Sequence, residues 1–229
     1  MENDDIENKN RSKLVRACLM HIPFDGWSQR SLELAAEDSG FTSSDLSRML
    51  PRGVNQAVEI YANLADEDMI SALNAKMVSG ENSPRGTTAK IKFLIIARLE
   101  QALPHKEVVR KTIQYLCNPI NLQVSQRILY STIDKIWREA GDQSTDFSFY
   151  TKRGLLCAIY SSTLLYFLAD TSGSIDSTSA FLDRRLKEIS LIPRVTKPLD
   201  KRAKSMFSGV GSVISSVAKN ISQQMAKRG

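Results

Sequence analysis

The side chains that most often carry out chemistry are few in this sequence of 229 residues, and they lie far apart. The two histidines, His21 and His105, belong to neither an HExxH nor a Glu-x-x-His motif, the spacings that bring metal ligands together on one helix. The cysteines have no paired metal-binding spacing, which predicts free thiols in a reducing compartment: Cys18, Cys117 and Cys157. No glycine-rich phosphate loop follows a strand pattern. The sequence therefore predicts a non-enzyme that uses neither a metal nor an organic cofactor.

The elements available to position any site are helices. Apolar residues recur at helical spacing along most of the chain, and capping residues and prolines separate the repeats. Ser28 predicts one N-cap, Thr42 or Ser43 a second, and Asn121 a third. Residues 79–86 predict a loop. We therefore expect an all-α domain of about nine helices, followed by a linker and a C-terminal helix.

The most apolar segment, residues 155–169, contains no charged residue. It is 15 residues long, whereas a membrane-spanning helix needs roughly 20. Its centre also carries hydroxyl side chains: Ser161, Ser162 and Thr163. This segment predicts a helix buried in protein and not a membrane span. Residues 1–10 are acidic and polar, so they resemble neither a secretory signal nor a basic transit peptide, and we expect them to be disordered.

The net charge of +6 is unevenly distributed along the chain. Residues 194–229 contain eight basic residues against one acidic residue, Asp200, which gives a net charge of +7. The other 193 residues therefore carry a net charge of −1. The basic character belongs to the C-terminal tail and not to the helical body.

Residues 28–50 show the pattern of a helix-turn-helix. Ala35 and Ala36 allow close helix packing, Gly40 suits the turn, and residues 42–50 would form the recognition helix. The arrangement resembles the tetracycline-repressor family, which implies further helices that dimerise and hold a ligand. However, residues 28–61 contain three arginines and five acidic residues, a net charge of −2 where a DNA-reading surface should be positive. No specific DNA binding is expected.

Four segments carry a more specific resemblance. In chain order they read HIPFDGWSQRSLELAAEDSGF, LPHKEVVRKTI, DKIWREAGDQSTDFSFYTKRGLLCAIYSSTLLYFLAD and FLDRRL. Together they resemble the ubiquinone-biosynthesis accessory family Coq-nine, in a bacterial form, over residues 21–192. The resemblance implies a tetracycline-repressor-like fold that no longer reads DNA. It also implies lipid binding, a homodimer, and assistance to the hydroxylase that acts on a polyprenyl quinone precursor.

Residues 141–154 have two interpretations. In the first, they only end one helix and cap the next. In the second, helical spacing places Phe149 and Arg153 on one side with Tyr150 beside them, and an exposed corner of aromatic and arginine side chains is typical of protein-binding hot spots. The resemblance implies that the family's docking patch for a ubiquinone-pathway hydroxylase matches Asp146, Tyr150 and Arg153. Phe149 stands where the family usually has tryptophan.

Three segments are more apolar than the buried face of one solvated bundle requires: residues 91–103, 122–140 and 155–169. They would either fill the core alone or enclose an elongated apolar cavity, as lipid carriers need. The candidate wall residues for an isoprenoid or other long-chain lipid are Met69, Leu73, Met77, Leu94, Leu129, Ile133 and Tyr160. The last two helices of the domain would form the two-fold interface of a homodimer.

The C-terminal tail, residues 199–229, has one apolar stripe at helical spacing and basic residues near both ends. A helix folded back on the body or a coiled coil would show the same stripe, although no run of e/g charges supports a coiled coil. We expect a peripheral membrane helix, favoured by anionic lipid and joined by a linker at residues 194–198. Its candidate membrane-contacting residues are Met206, Phe207, Val210, Val213, Ile214, Val217 and Ile221.

Two functions from different classes fit these features of the sequence. The first is a non-catalytic accessory protein whose repressor-like helical domain, residues 11–193, binds a polyprenyl quinone precursor and presents it to a hydroxylase. The second is a ligand-responsive transcription regulator of the tetracycline-repressor type. The acidic helix-turn-helix, the quoted segments and the basic tail favour the first. The expected location is the inner face of the bacterial cytoplasmic membrane, as a peripheral protein.

Overall fold

The computed structural model describes residues 2–80, 82–142 and 147–190. Within these ranges the chain is helical and contains no strand, so the all-α prediction is confirmed. The α-helices are α1 (Glu2–Cys18), α2 (Ile22–Asp25), α3 (Gln29–Asp38), α4 (Ser43–Met49), α5 (Gly53–Ser79), α6 (Thr87–Ala102), α7 (Lys106–Leu116), α8 (Leu122–Glu139), α9 (Phe147–Ala169) and α10 (Asp176–Ser190). Two short 3-10 helices, Leu103–His105 and Pro119–Asn121, precede α7 and α8. The predicted loop near residues 79–86 separates α5 from α6.

Local capping sets the starts of α3 and α4. The Ser28 hydroxyl accepts a hydrogen bond from the Ser31 backbone N–H at 3.2 Å, as expected of an N-cap. At α4, the Asp45 N–H donates to the Thr42 hydroxyl at 3.2 Å, and the Thr42 N–H donates to the Asp45 carboxylate at 3.0 Å. This reciprocal pair is a capping box. The N-caps predicted at Ser28 and Thr42 are confirmed.

The start of α8 differs from the prediction. Asn121 stands before α8 but makes no side-chain cap there. Its amide nitrogen instead donates to the Tyr115 carbonyl at 2.9 Å. Asn118 provides the local cap, because its side-chain oxygen accepts from the Ile120 N–H at 3.1 Å. The prediction that Asn121 caps α8 is wrong, since its side chain ties the end of α7 to the following turn.

The first apolar core lies among α1, α3, α4 and the start of α5. Its fully buried side chains include Leu14, Val15, Cys18, Ile22, Leu32 and Met49. Trp27 links this core to α7, because its indole N–H donates to the Thr112 hydroxyl at 2.8 Å. The helix-turn-helix pair, α3 and α4, is therefore packed against a larger helical body.

The structure of the N-terminal residues differs from the prediction. Residues 1–10 are predicted to be disordered, but residues 2–10 form the first half of α1. Opposite charges four residues apart, Lys9 with Asp5 and Arg11 with Glu7, favour a helix there. Arg11 also donates from Nε to the Met49 carbonyl at 2.9 Å. This contact between α1 and α4 depends on tertiary structure, which the polar composition of the segment does not reveal.

The second apolar core lies among α5, α6, α8, α9 and α10. Its fully buried side chains include Met69, Leu94, Ile95, Ile133, Ile136, Leu156 and Phe167. Leu156 and Phe167 belong to the uncharged segment at residues 155–169, so the prediction of a buried helix is confirmed. In the part of the chain that the structure describes, no helix is long and apolar enough to cross a membrane.

Several predictions of the sequence fall outside the described residues. The linker at residues 194–198 and the amphipathic helix at residues 199–229 both lie there. So do all the candidate membrane-contacting residues, from Met206 to Ile221. The membrane helix therefore stays a prediction.

Candidate functional site

A cavity of about 650 Å³ lies between α5, α6, α7, α8 and α9. This volume falls within the range of pockets that hold drug-sized ligands. The wall is largely aliphatic and includes Leu99, Val109, Ile113, Ile128, Leu129 and Leu164. Such a wall favours a hydrocarbon occupant, because apolar surface is stabilised by contact with apolar groups.

One end of the cavity reaches the protein surface. The cavity follows α8 from Ser125 to Thr132, which corresponds to roughly 10 Å along a helix. Beyond Ser125 the wall includes Pro119, an exposed residue of the second 3-10 helix. Its neighbours Ile120 and Leu122 are 89% and 55% exposed. Two solvent-exposed aliphatic side chains therefore stand beside this end.

The other end of the cavity is polar. Arg98 on α6 donates from Nε to the Tyr160 hydroxyl at 2.9 Å and from Nη1 to the Asp66 carboxylate. Asp66 also accepts from the Thr132 hydroxyl at 3.0 Å and from Lys135 Nζ at 3.0 Å. Arg98, Thr132 and Tyr160 line the cavity. The network thus joins α5, α6, α8 and α9 at the end opposite the exposed turn.

Two cations, Arg98 and Lys135, compensate the single buried carboxylate of this network. Asp66 is 1% exposed, and an ionised carboxylate so deeply buried requires charged or hydrogen-bonding partners. Burial is the largest influence on the pKa of Arg98 and lowers it, but the neighbouring Tyr160 and Asp66 outweigh burial, so that the pKa is raised overall. Arg98 is therefore cationic and is paired with Asp66 directly.

Tyr61 adds a second phenol to the cavity wall. Burial raises the pKa of its hydroxyl, Arg98 opposes that shift in part, and Tyr160 adds to it. The Tyr61 hydroxyl is therefore a neutral hydrogen-bond donor near neutral pH. Its ring centroid lies 5.6 Å from that of Trp27, which connects the cavity wall to the first core.

Only part of the predicted lipid-binding set lines this cavity. Leu129 and Tyr160 do so. Four other candidates are buried in the second core and do not face the cavity: Met69, Leu73, Leu94 and Ile133. Met77 is 44% exposed at the surface of α5, so its prediction as a wall residue is wrong. Helical periodicity identifies the buried face of a helix but not which part of that face borders a void.

Helical periodicity does not predict four polar residues of this site: Tyr61, Arg98, Thr132 and the supporting Asp66. A signal for two of them was present. Asp66 and Arg98 are charged residues placed among the apolar positions of α5 and α6. Charges at such positions are rarely buried unless they are paired. The pairing itself connects residues 32 positions apart, which periodicity does not predict.

Arg153 is buried and does not form an exposed corner. Its side chain is 7% exposed, and both Nε and Nη2 donate to Asp134 Oδ1, at 3.0 and 2.7 Å. Its Nη1 lies 3.6 Å from Asp142. The prediction that Arg153 is an exposed docking residue is wrong, because the carboxylates of α8 and the following turn hold the guanidinium inward.

The rest of the predicted docking patch is exposed or undescribed. Tyr150, in the first turn of α9, is 70% exposed, as a docking residue should be. Asp146 and the side chain of Phe149 lie outside the described part of the structure. The docking patch therefore stays a prediction, and Tyr150 is the predicted docking residue that the structure shows to be exposed.

The arginines of the helix-turn-helix already have carboxylate partners. Arg48 on α4 lies 3.4 Å from Asp45 and 3.5 Å from Glu7. Arg52 lies 2.7 Å from Glu59. Little uncompensated positive charge is therefore available for phosphate groups, on which DNA binding depends. The expected absence of specific DNA binding is consistent with this surface and stays a prediction.

The thiols are held in their protonated form. Burial raises the pKa of Cys18 to about 12, and it also raises the pKa of Cys117 and of Cys157. The thiolate is the nucleophilic and metal-binding form of cysteine. These environments therefore do not activate the thiols. Within the described ranges, no group of three or more His, Cys, Asp or Glu residues could hold a metal ion.

The fold and the cavity define an all-α domain that encloses a mostly aliphatic space of ligand size. The COQ9 family model matches residues 122–192, which contain α8, α9 and α10. Known relatives extend the similarity over most of the chain. The chain is 28% identical to ubiquinone biosynthesis protein COQ9 of Xenopus tropicalis, over 91% of this chain and 67% of that protein.

Two further relatives agree. The chain is 26% identical to the Homo sapiens protein of the same name, over 91% of this chain and 67% of that protein. It is 29% identical to the Drosophila melanogaster protein, over 78% of this chain and 54% of that protein. Together these matches show that the chain is similar to COQ9 proteins over most of its length. The resemblance read from the quoted segments is confirmed.

Proposed function

We propose that this chain is a non-catalytic accessory protein of ubiquinone biosynthesis, which binds a polyprenyl quinone precursor and presents it to a hydroxylase. The relatives are named for ubiquinone biosynthesis. The single observation that carries the lipid-binding part is the aliphatic cavity of about 650 Å³. Its lining loses dispersion contacts if the cavity is empty, so a hydrocarbon ligand would be stabilising.

The length of the cavity determines how much of a long-chain ligand it could enclose. Its extent along α8, roughly 10 Å, is too short for a fully enclosed polyprenyl chain. A longer chain would leave through the surface end, beside the exposed Ile120 and Leu122. These two side chains would be buried if that end rested against the acyl region of a bilayer. A lipid could then pass between membrane and cavity with little exposure to water.

The arrangement of polar groups supports binding over catalysis. Asp66 is surrounded by Arg98, Thr132 and Lys135, so its carboxylate is fully occupied and poorly placed to act as a general base. The thiols have a raised pKa, as described above. The residues near the cavity can therefore position a ligand more readily than they can transform it.

The first test compares two neighbouring residues of α8. Leu129 lines the cavity, whereas Tyr130 is 51% exposed. A ubiquinone with a short prenyl chain should raise the melting temperature of the natural protein, because a ligand that binds only the folded state stabilises it. Leu129→Gln should reduce this increase strongly, and Tyr130→Gln should preserve it. Equal responses of both variants would contradict binding in this cavity.

The partner and the membrane belong to the same proposal. Tyr150 is the described residue best placed to contact a ubiquinone-pathway hydroxylase, with Asp146 and Phe149 beside it in sequence. The amphipathic tail would hold the body at the membrane as a peripheral protein. The last two helices, α9 and α10, would provide the homodimer interface, and they already pack together through Tyr166 and Phe181, whose ring centroids lie 4.4 Å apart.

The alternative of a ligand-responsive transcription regulator has weaker support. It would explain a helix-turn-helix and a ligand cavity in one chain. The ion pairs of Arg48 and Arg52, however, leave this surface with little charge for DNA. Selection of one enriched palindrome from random duplex DNA at physiological salt would favour the regulator over our proposal.

A further inference from the structure

We propose that the polar end of the cavity is a subsite for a neutral oxygen acceptor, such as the carbonyl or hydroxyl oxygen of a quinoid or phenolic ring. The residues that would form it are Tyr61, Arg98 and Tyr160. The inference rests on the proposed function, because it assigns one end of the lipid cavity to the head group of the lipid.

Each of the three residues has an N–H or O–H group that no acceptor among the described residues uses. The Tyr160 oxygen accepts from Arg98 Nε at 2.9 Å, and its own O–H meets no acceptor in the described part of the chain. The Tyr61 hydroxyl likewise pairs with no residue that the structure describes. Arg98 Nη2 reaches only the Ala62 carbonyl, at 3.5 Å, so one of its two N–H groups is unused among the described residues. Unused donors that face a cavity favour a ligand that accepts hydrogen bonds.

The carboxylate acceptor of the same network is already occupied. Asp66 accepts hydrogen bonds from Arg98, Thr132 and Lys135, and the Thr132 hydroxyl hydrogen is used in its bond to Asp66. A cationic ligand that only donates, such as an ammonium group, would find this carboxylate occupied and would be repelled by the charge of Arg98. The unused N–H and O–H groups of this end therefore favour a neutral acceptor over a cation.

The charge balance favours a neutral head group. Arg98 is paired with Asp66, whose side chain is 1% exposed, so the pair is close to neutral as seen from the cavity. The second cation, Lys135, is 30% exposed and does not line the cavity. An anionic ligand would bring an uncompensated charge into a low-dielectric site, whereas a carbonyl or hydroxyl oxygen would not.

The position of the subsite fixes the orientation of the ligand. Thr132 marks the polar end, and Ser125 and Pro119 mark the end at the surface. A ring bound at the polar end would place its isoprenoid chain toward the surface. The ligand would therefore have to leave the cavity before a partner enzyme could reach its ring.

Three probes with the same farnesyl chain test the subsite on the full-length protein: farnesyl-p-benzoquinone, farnesylbenzene and farnesoic acid. Their binding is measured by calorimetric titration in a mild detergent. We expect the quinone to bind about 10-fold more tightly than the hydrocarbon, which is the effect of one to two hydrogen bonds. Tyr160→Phe and Tyr61→Phe should each remove part of this preference, and together they should abolish it. Tyr130→Phe, at an exposed position of α8, should retain it.

Each outcome separates this inference from the carrier function. Equal binding of quinone and hydrocarbon, or a preference that survives the double substitution, would overturn the subsite while leaving lipid binding intact. Tighter binding of farnesoic acid than of the quinone would overturn it in favour of an anion site. If none of the probes binds, lipid binding in this cavity fails and the subsite fails with it. Melting temperatures of the phenylalanine variants show whether a change in affinity reflects loss of fold.

Discussion

Arg153 and Asp134 form a buried two-point contact between α9 and α8. Both Nε and Nη2 of the arginine donate to the same carboxylate oxygen, at 3.0 and 2.7 Å, and the side chains are 7% and 14% exposed. Three positions earlier on α9, Tyr150 is 70% exposed. Two residues of one predicted docking patch therefore have different roles. Arg153 holds α9 against α8, and Tyr150 faces outward.

The first prediction is that Arg153 contributes to stability. Arg153→Ala should lower the free energy of unfolding by about 2 kcal/mol, because Asp134 and Asp142 lose a buried partner while Arg138 and Lys152 still pair with them. Tyr150→Ala should change it by less than about 0.5 kcal/mol, as is usual for exposed positions. Urea unfolding of both variants measures the difference. Natural stability in Arg153→Ala would show that the buried contact is not structural.

The second prediction concerns the partner. Tyr150→Ala should weaken binding of the ubiquinone-pathway hydroxylase by about 2 kcal/mol, or roughly 30-fold, if Tyr150 is a hot spot. Tyr130→Ala is the matched control, because Tyr130 is also an exposed tyrosine, 51% exposed, on a different helix. Surface plasmon resonance with the purified hydroxylase gives both affinities. Equal weakening in the two variants would refute a specific docking role for Tyr150.

The third prediction is a dependence of stability on pH through Cys18. Its pKa is about 12 in the folded protein against an ordinary value of 9.0, because burial disfavours the thiolate. The thiol of the unfolded chain ionises first, so the stability it contributes is present below about pH 9 and is lost as pH rises toward about 12.

The measurement compares the natural protein with Cys18→Ala. Between about pH 8 and about pH 10, the natural protein should lose about 1 kcal/mol more of its unfolding free energy than the variant does. The comparison removes the effects of other groups that titrate in the same range. Parallel pH profiles would mean that the folded environment does not raise the pKa of this thiol.

The fourth prediction concerns the tail. The full chain should float with anionic vesicles, because the apolar stripe and basic ends of residues 199–229 favour such a surface. Ile214→Asp with Val217→Asp should abolish flotation, since both replacements put charge into the stripe. Ser215→Asp with Ser216→Asp adds the same charge outside the stripe and should weaken flotation less. If both pairs behave alike, electrostatics and not the apolar stripe governs binding.

The sequence predicts the helical elements well where the signal is local. The N-cap bonds of Ser28 and Thr42 join groups three residues apart, so their positions can be read from a short segment. The same holds for the burial of residues 155–169, which follows from an uncharged run too short to span a membrane. The polar composition of residues 2–10 does not predict their helix. Arg11, which follows them in α1, contacts the distant Met49, and a contact of this kind cannot be read from a short segment.

The candidate site is less predictable, because it depends on contacts between distant segments. Asp66 pairs with Arg98 and Thr132, which are 32 and 66 positions away. The burial of Arg153 also depends on a contact with a distant segment. Helical spacing gives the face on which it lies, but only the position of Asp134 on α8 determines that this face is buried. The sequence predicts the wall positions Leu129 and Tyr160, but the network that joins Tyr160 to Arg98 and Asp66 depends on tertiary structure.

The most direct test of lipid carriage is to identify what the purified full-length protein contains. Native mass spectrometry, followed by organic extraction and analysis of the released lipid, should find an isoprenoid or other long-chain lipid bound to the natural protein. Leu129→Gln should lose most of this lipid, and Tyr130→Gln should keep it. No releasable lipid in the natural protein, together with no rise in melting temperature on addition of prenylated quinones, would contradict the proposal that the cavity binds a lipid.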